Sequence, residues 1–503
     1  MFELISNLAL GFSVAWTLNN LTFCLIGALL GTLIGVLPGI GPLATVAMLL
    51  PITFSLPADG ALIMLAGIYY GAQYGGSTTS ILLNVPGESS SVVTALDGHA
   101  MARQGRAGAA LAIAAIGSFF AGCVATVGIA VVGPPLAGIA QQFGAAEYFS
   151  LMLFGLIGAV VLASGSVIKA VAMIVLGLLL GLVGQDVTSG AGRFTFGIPE
   201  LSDGIGFVAV AMGLFGLAEI MTNLERARSV PEGQETVMPV HGLMPTKADL
   251  KTSRWPILRG TVIGSFLGIL PGGGAVLASF SSYTLEKRIA KDPTRFGNGA
   301  IEGVAGPEAA NNAAAQASFI PLLTLGIPSN PVMALMIGAM TIQGITPGPQ
   351  VMVKQPALFW GMIASMWIGN LMLVIINLPL VGIWVQLLKV PYRFLFPAII
   401  IFCAIGIYSL NNSPVDVLFT ALFGVLGYLF VKLGFEPAPL LLGFILGPMM
   451  EENLRRALQI SRGNLMTFVE RPISLGLLIA TAVLLAIVIL PSVRKGREEA
   501  FQE

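Results

Sequence analysis

Two stretches of the chain gather neutral polar side chains inside otherwise apolar sequence. The first carries Gln73, Tyr74, Ser77, Thr78, Thr79, Ser80 and Asn84 and runs into Glu88 with Ser89, Ser90 and Ser91. The second carries Glu308, Asn311, Asn312, Gln316, Ser318, Thr324, Ser329 and Asn330. A buried polar group left unpaired costs about 1 to 3 kcal/mol, so part of this set is expected to face water or a ligand. Ser and Thr can instead bond back to their own helix, which is the plain alternative for Thr79 and Ser80. Asn311 and Asn312 resist that explanation, because asparagine is a weak helix former and adjacent residues point in different directions. No Lys or Arg occurs from Gly60 to Met101 or from Gly297 to Val353. A carboxylate bound here would be held by hydroxyls, amides and helix N-termini, with its charge offset by a co-bound cation. The candidate substrate ligands are Ser77, Thr78, Asn84, Asn311, Asn312 and Ser329. Glu88 and Glu308 are either ion ligands or solvated loop-edge residues, and Asp97 and His99 in ALDGHAMARQGR read as a cytoplasmic cap and loop.

Two shorter motifs complete the candidate chemistry. LPGIG at Leu37–Gly41 and LPGGG at Leu270–Gly274 each interrupt a long apolar stretch. Glycine lets a chain reverse in a crowded interior, and proline tolerates the lost hydrogen bond. A helix starting after such a turn offers free N–H groups and a positive dipole end to an anion, while carbonyls of the helix that stops before it can ligate a cation. Gly39, Gly41, Gly272 and Gly274 are therefore the candidate cation-binding positions, and Na+ is the only metal they imply. A pair of kinked helices packing without a ligand is the simpler alternative. Enzyme signatures are missing: there is no GxSxG, HExxH, GxxxxGK[ST] or CxxC, and neither GIGPLA nor GGGAVL completes GxGxxG. An enzyme is not expected, nor is ATP as an energy source.

Such motifs must be positioned by membrane-spanning helices. Of 503 residues, 55% are hydrophobic and only 10% charged, where a soluble domain carries about 25% charged residues. Uncharged stretches such as Leu21–Ser55 and Ala107–Ala146 exceed the roughly 20 apolar residues that cross a bilayer. The expected fold is an all-α polytopic membrane protein. Lys+Arg and Asp+Glu balance at 25 each, which leaves no basic field for nucleic acid. Cys24, Cys123 and Cys403 form no paired motif, and His241 falls in a polar linker. The first twenty residues lack Lys and Arg, hence the charged n-region of a cleaved signal, and insertion through the chain's own helices is expected.

The chain also repeats itself. Gly27, Gly31, Gly35, Leu37, Pro38, Gly39 and Gly41 recur at a constant offset of 233 in GTVIGSFLGILPGGG, Gly260–Gly274. Ser77–Ser89 resembles Phe319–Pro331 at offset 242, and NLERA from Asn223 echoes NLRRA from Asn453. The expected organisation is a first transmembrane repeat over 1–223, a cytoplasmic polar linker over 224–256, a second repeat over 257–472, and a C-terminal helix with basic tail over 473–503. The second LPGGG segment is flanked by the basic linker and by Lys287, Arg288, Lys291 and Arg295, whereas nothing basic flanks the first. Cytoplasmic loops collect Lys and Arg, so the two halves read as inverted-topology repeats with broken, re-entrant helices. One region conflicts: inversion puts 451–471 outside despite Arg455, Arg456, Arg462 and Arg471. A segment 437–450 that dips back would bring these inside, but would move Arg494, Lys495 and Arg497 outside.

GVLPGIGP, YGGSTTSILLNVPGE, ALDGHAMARQGR, GILPGGGA, PEAANNAAAQASFIPLLTLGIP, ITPGP and LGFILGPMMEENLRRAL follow one another along nearly the whole chain. Together they resemble the TctA family, the large membrane subunit of the tripartite tricarboxylate transporters. The resemblance implies a multi-pass secondary transporter of the bacterial inner (plasma) membrane, importing a small di- or tricarboxylate with Na+ or H+ and needing no other cofactor. It also implies two partners, a small four-helix membrane subunit and a periplasmic solute-binding protein. A passive anion channel with re-entrant pore segments is the alternative. The pair Ser329-Asn330 departs from the glycine expected after that proline.

Overall fold

In a computed structural model, residues 2–162, 166–186, 189–229, 237–240, 242–270, 274–388, 390 and 392–489 are described. These are almost entirely helical, and the strand pairing among them joins Gly184–Gln185 to Gly192–Arg193. The first half runs α1 (Phe2–Ala15), α2 (Leu18–Gly35), α3 (Pro42–Leu49), α4 (Ala58–Leu83), α5 (Val92–Met101), α6 (Ala107–Ala140), α7 (Ala145–Leu162), α8 (Val167–Gly181), α9 (Phe207–Ala211) and α10 (Ala218–Ser229). The second runs α11 (Lys247–Leu267), α12 (Gly274–Ile289), α13 (Glu302–Ala317), α14 (Phe319–Leu325), α15 (Pro331–Ile342), α16 (Pro349–Lys354), α17 (Pro356–Asn377), α18 (Val381–Leu387), α19 (Tyr392–Asn411), α20 (Pro414–Lys432), α21 (Pro437–Ile460), α22 (Thr467–Glu470) and α23 (Pro472–Ile489). By length and composition, five helices among the described residues can cross a membrane. Leu418, Leu422, Val425 and Leu429 line an exposed face of α20, which is the outward apolar surface a bilayer requires. The chain is an all-α polytopic membrane protein. Helix also fills both ends of the 224–256 stretch, since α10 reaches Ser229 and α11 starts at Lys247. His241 and the tail with Arg494, Lys495 and Arg497 lie outside the described residues.

The glycine rows explain how each half is held together. A Cβ at Gly27, Gly31 or Gly35 of α2 would fall under 3.0 Å from the backbone of Met64, Ile68 or Ala72 on α4. Gly260, Gly264 and Gly268 of α11 meet Gly306, Ala310 and Ala314 of α13 in the same way. Small residues permit this backbone-to-backbone approach, and dispersion and packing reward it where no hydrophobic force acts. The glycines are offset by 233 and their partners by 242, the offsets carried by the flanking motifs.

The proline turns match in conformation too. Asn84 ends α4 in the left-handed region at φ 58°, ψ 23°, and Gly326 ends α14 at φ 73°, ψ 23°. Beyond each proline the chain is extended, at φ −148°, ψ 164° for Glu88 and φ −151°, ψ 169° for Asn330. Ser329 in place of a glycine therefore does not alter the turn. Glycine is needed at position 87 for another reason, since a Cβ there would fall under 3.0 Å from the Cα of Gly76.

Loops of the two halves meet at both ends. α4 has 26 residues, about 39 Å at 1.5 Å per residue, so its ends lie on opposite faces. At its start, Gln343 Nε2 donates to the carbonyls of Thr53 (3.2 Å) and Leu56 (3.4 Å). Near its end, Leu82 accepts from the linker N–H of Met238. On that second face Gln104 donates to the Asn298 carbonyl at 2.9 Å, and Arg106 pairs with Asp249 at 2.5 Å. Asp97, expected in a cap or loop, is fully buried inside α5. Its Oδ1 accepts the N–H groups of Gly297, Gly299 and Ala300 at 2.8–2.9 Å, and its Oδ2 the hydroxyl of Tyr283 at 3.0 Å. α21 is one helix of 24 residues rather than a segment that dips back, about 36 Å long. Arg455 beyond Pro448 pairs with Asp186 and Glu451, Arg456 with Glu452, and Arg471 with Glu147.

Candidate functional site

A cavity of roughly 480 Å³ opens where the breaks of both halves converge. The chain after the first break reverses at Gly39, whose φ of +77° favours glycine and whose missing side chain leaves room for Asn223. Asn223 Nδ2 in turn donates to the Gly39 carbonyl at 3.2 Å. Three helix N-termini reach the cavity: α3 through Gly41 to Ala44, α12 through Gly274 to Val276, and α15 through Asn330 to Val332. First-turn N–H groups have no intrahelical acceptor, and the dipole of each helix favours an anion in front of it. Pro42 and Pro331 occupy the first helical positions, where the missing N–H costs nothing. Asn330 caps its own helix by accepting from Met333 N at 2.9 Å.

Opposing charge enters the same space. Glu88 and Glu219 line the cavity, and none of the described lining residues is Lys, Arg or His. Glu88 is held from behind: Asn311 Nδ2 donates to its carboxylate at 2.8 Å, and Gln73, with its amide nitrogen turned inward, donates to it as well. Asn311 Oδ1 is buried with no hydrogen-bond partner among the described residues. Anion-seeking backbone and carboxyl side chains thus share one chamber, an arrangement suited to a ligand carrying both signs or to an anion with a cation.

The structure distributes the sequence-derived candidates over more than one place. Gly39, Gly41 and Gly274 line the cavity, and Asn311 stands behind its Glu88 wall. The Gly41 carbonyl is engaged inside α3 by the N–H and hydroxyl of Thr45. Gly272 lies outside the described residues. Ser77 and Asn312 gather instead around Glu308: Ser77 Oγ donates to its carboxylate at 2.7 Å, and Asn312 Nδ2 donates to its backbone carbonyl at 3.1 Å and to Ser118 Oγ at 2.7 Å. Thr78 bonds back to the Tyr74 carbonyl at 3.2 Å, and Ser329 donates to the Ser318 carbonyl at 3.4 Å. Asn84 is exposed at the end of α4, where its tolerance of positive φ caps the helix. Tyr69, Glu219 and Asn223 are site residues that sequence reasoning did not single out. Only the Asn223 echo at Asn453 hinted at one of them, and Asn453 bonds merely to Met449 of its own helix.

Interrupted helices from both halves, converging on a cavity whose described lining residues include no Lys, Arg or His, define a polytopic membrane protein with a candidate binding chamber. Residues 21–442 match the Tripartite tricarboxylate transporter TctA family, and the chain belongs to that family. It is a component of a tripartite tricarboxylate transporter. Among its relatives, the uncharacterized 52.8 kDa protein in the TAR-I ttuC' 3' region of Agrobacterium vitis is 61% identical over 503 residues, covering both chains in full. The uncharacterized protein in the TAR-II ttuC' 3' region of the same organism is 63% identical over 240 residues, 48% of this chain and 99% of its own. No solved structure matches the chain.

Proposed function

We propose that the chain is the translocating subunit of its transporter, importing a small di- or tricarboxylate across a bacterial inner membrane together with Na+ or H+. A periplasmic solute-binding protein delivers the substrate, and a small four-helix membrane subunit completes the assembly. The observation that carries this reading is the cavity: three helix N-termini favour an anion, the Glu88 carboxyl faces the same space, and the described lining residues include no Lys, Arg or His. A cation beside Glu88, near the Gly39 turn, would offset the anion's charge, so binding of either charge favours binding of the other. A passive anion channel is the rival. Radiolabelled carboxylate uptake into proteoliposomes holding this chain with its two partners separates them. Accumulation above the outside concentration is expected when an inward Na+ or proton gradient is imposed. Uptake that stays downhill and ignores both gradients sinks the carrier reading.

The proposed orientation is inverted between halves, with the Thr53–Leu56 and Gln343 loops outside and the Gln104, Asp249 and Asn298 loops inside. Ser55, Gln104, Thr294 and Thr346 are all exposed. In a background lacking Cys24, Cys123 and Cys403, Ser55→Cys and Thr346→Cys should react with an impermeant maleimide on intact cells. Gln104→Cys and Thr294→Cys should react only after permeabilisation. Equal labelling of all four positions contradicts the inversion.

A further inference from the structure

One buried acid takes no part in the cavity. Glu308 on α13 is 1% exposed, and its carboxylate accepts the hydroxyls of Ser77 at 2.7 Å and Thr94 at 2.6 Å. No ion pair joins it among the described residues. Beside it lies a separate pocket of roughly 20 Å³, room for one water-sized occupant. Tyr74, Ser77 and Thr78 of α4, Ser118 of α6, Glu308 of α13 and Asn377 of α17 line it with oxygen. Two of these oxygens, Tyr74 Oη and Asn377 Oδ1, have no hydrogen-bond partner among the described residues, and their residues are only 4% and 6% exposed. Tyr74 Oη and Asn377 Oδ1 thus stand beside the Glu308 carboxylate as further oxygens a hard cation can share.

We propose that this pocket binds a single Na+ ion, separately from the carboxylate chamber. Carboxylate, hydroxyl and amide oxygens suit a hard cation, and no thiol or imidazole among the lining residues favours a transition metal. One carboxylate balances one positive charge, whereas a divalent ion would leave net charge in an apolar interior. The site is wired to the chamber by two helices. α4 presents Gln73 to Glu88 and, one turn later, Ser77 to Glu308. α13 carries Glu308 and, one turn later, Asn311, which holds Glu88. An ion in the pocket clamps α4, α6, α13 and α17 in the arrangement that sets the chamber wall. The coupling role of this ion rests on the carrier reading; its binding does not.

The test uses the purified full-length chain in detergent with Glu88→Gln to silence the chamber, following thermal unfolding by tryptophan fluorescence as NaCl replaces choline chloride. A saturable rise in Tm with Na+ is expected, since a ligand of the folded state stabilises it by mass action. Adding Glu308→Gln should remove that saturation. Tyr74→Phe and Asn377→Ala should each raise the half-saturating Na+ concentration about tenfold, the scale of one lost ligand. Absence of any Na+ response, or an unchanged response in Glu308→Gln, overturns the site. Should Glu308→Gln fail to fold, unchanged half-saturation in both Tyr74→Phe and Asn377→Ala overturns it equally. Downhill-only transport with intact Na+ binding would count against the carrier reading alone, and gradient-driven transport without this binding would count against the site alone.

Discussion

Asp97→Ala is expected to leave little folded protein in detergent extracts, whereas Asp97→Asn should be recovered in good yield. The alanine removes the acceptor of three backbone N–H groups and of the Tyr283 hydroxyl at once. Each buried donor left without a partner costs about 1 to 3 kcal/mol, and folded domains hold only about 5 to 15 kcal/mol in all. Asparagine keeps one carbonyl oxygen for the three N–H groups, and the Tyr283 hydroxyl can turn to accept from its amide. A fluorescence size-exclusion profile and a Tm for each variant check this. Wild-type melting of Asp97→Ala would show that the loop at Gly297–Ala300 finds other acceptors. Rescue by asparagine distinguishes loss of hydrogen bonding from loss of the negative charge.

The second large effect concerns the helix pairs. Gly31→Leu and Gly264→Leu should both abolish monodisperse protein, because each side chain would begin under 3.0 Å from a backbone carbonyl group, at Ile68 and Ala310 respectively. Backbone cannot swing aside as a flexible side chain can. Overpacking a core costs about 1 to 3 kcal/mol even where side chains can yield, and here whole helices must separate. Gly128→Leu is the control: a Cβ there meets nothing within 4 Å, and extraction yield and elution profile should match the wild type. A Gly264→Leu protein that elutes and melts like the wild type would mean that α11 and α13 are not held in contact by this row.

Much of this architecture was legible because it is written in periodic signals. The glycine rows, the LPGxG breaks and the shared offsets each report a backbone requirement, and backbone requirements leave a residue-type trace. α4 is less transparent. The repeat reading expects broken helices, yet α4 runs unbroken to Leu83, and its Gly71 and Gly75 admit the backbone of α2. The site was only partly readable, for a different reason. Ser77 and Asn311 stood out equally as buried polar groups, but they serve different acids, Glu308 and Glu88. That division depends on pairings across more than 200 residues of sequence, which no local pattern records. Glu219 belongs to α10, one turn before the NLERA echo, and it lines the cavity through tertiary packing.

The loops of the two halves are tied by bonds of different kinds at the two ends of α4. On the face of Gln104, the halves are joined by the charged Asp97 contacts and the Arg106–Asp249 pair. On the opposite face, the described side-chain bonds between those loops are the two long, neutral ones from Gln343. Charged hydrogen bonds are roughly twice as strong as neutral ones. The bonds between these loops are therefore weaker at the Gln343 end, while ion pairs from Arg455 to Asp186 and from Arg471 to Glu147 also join the halves.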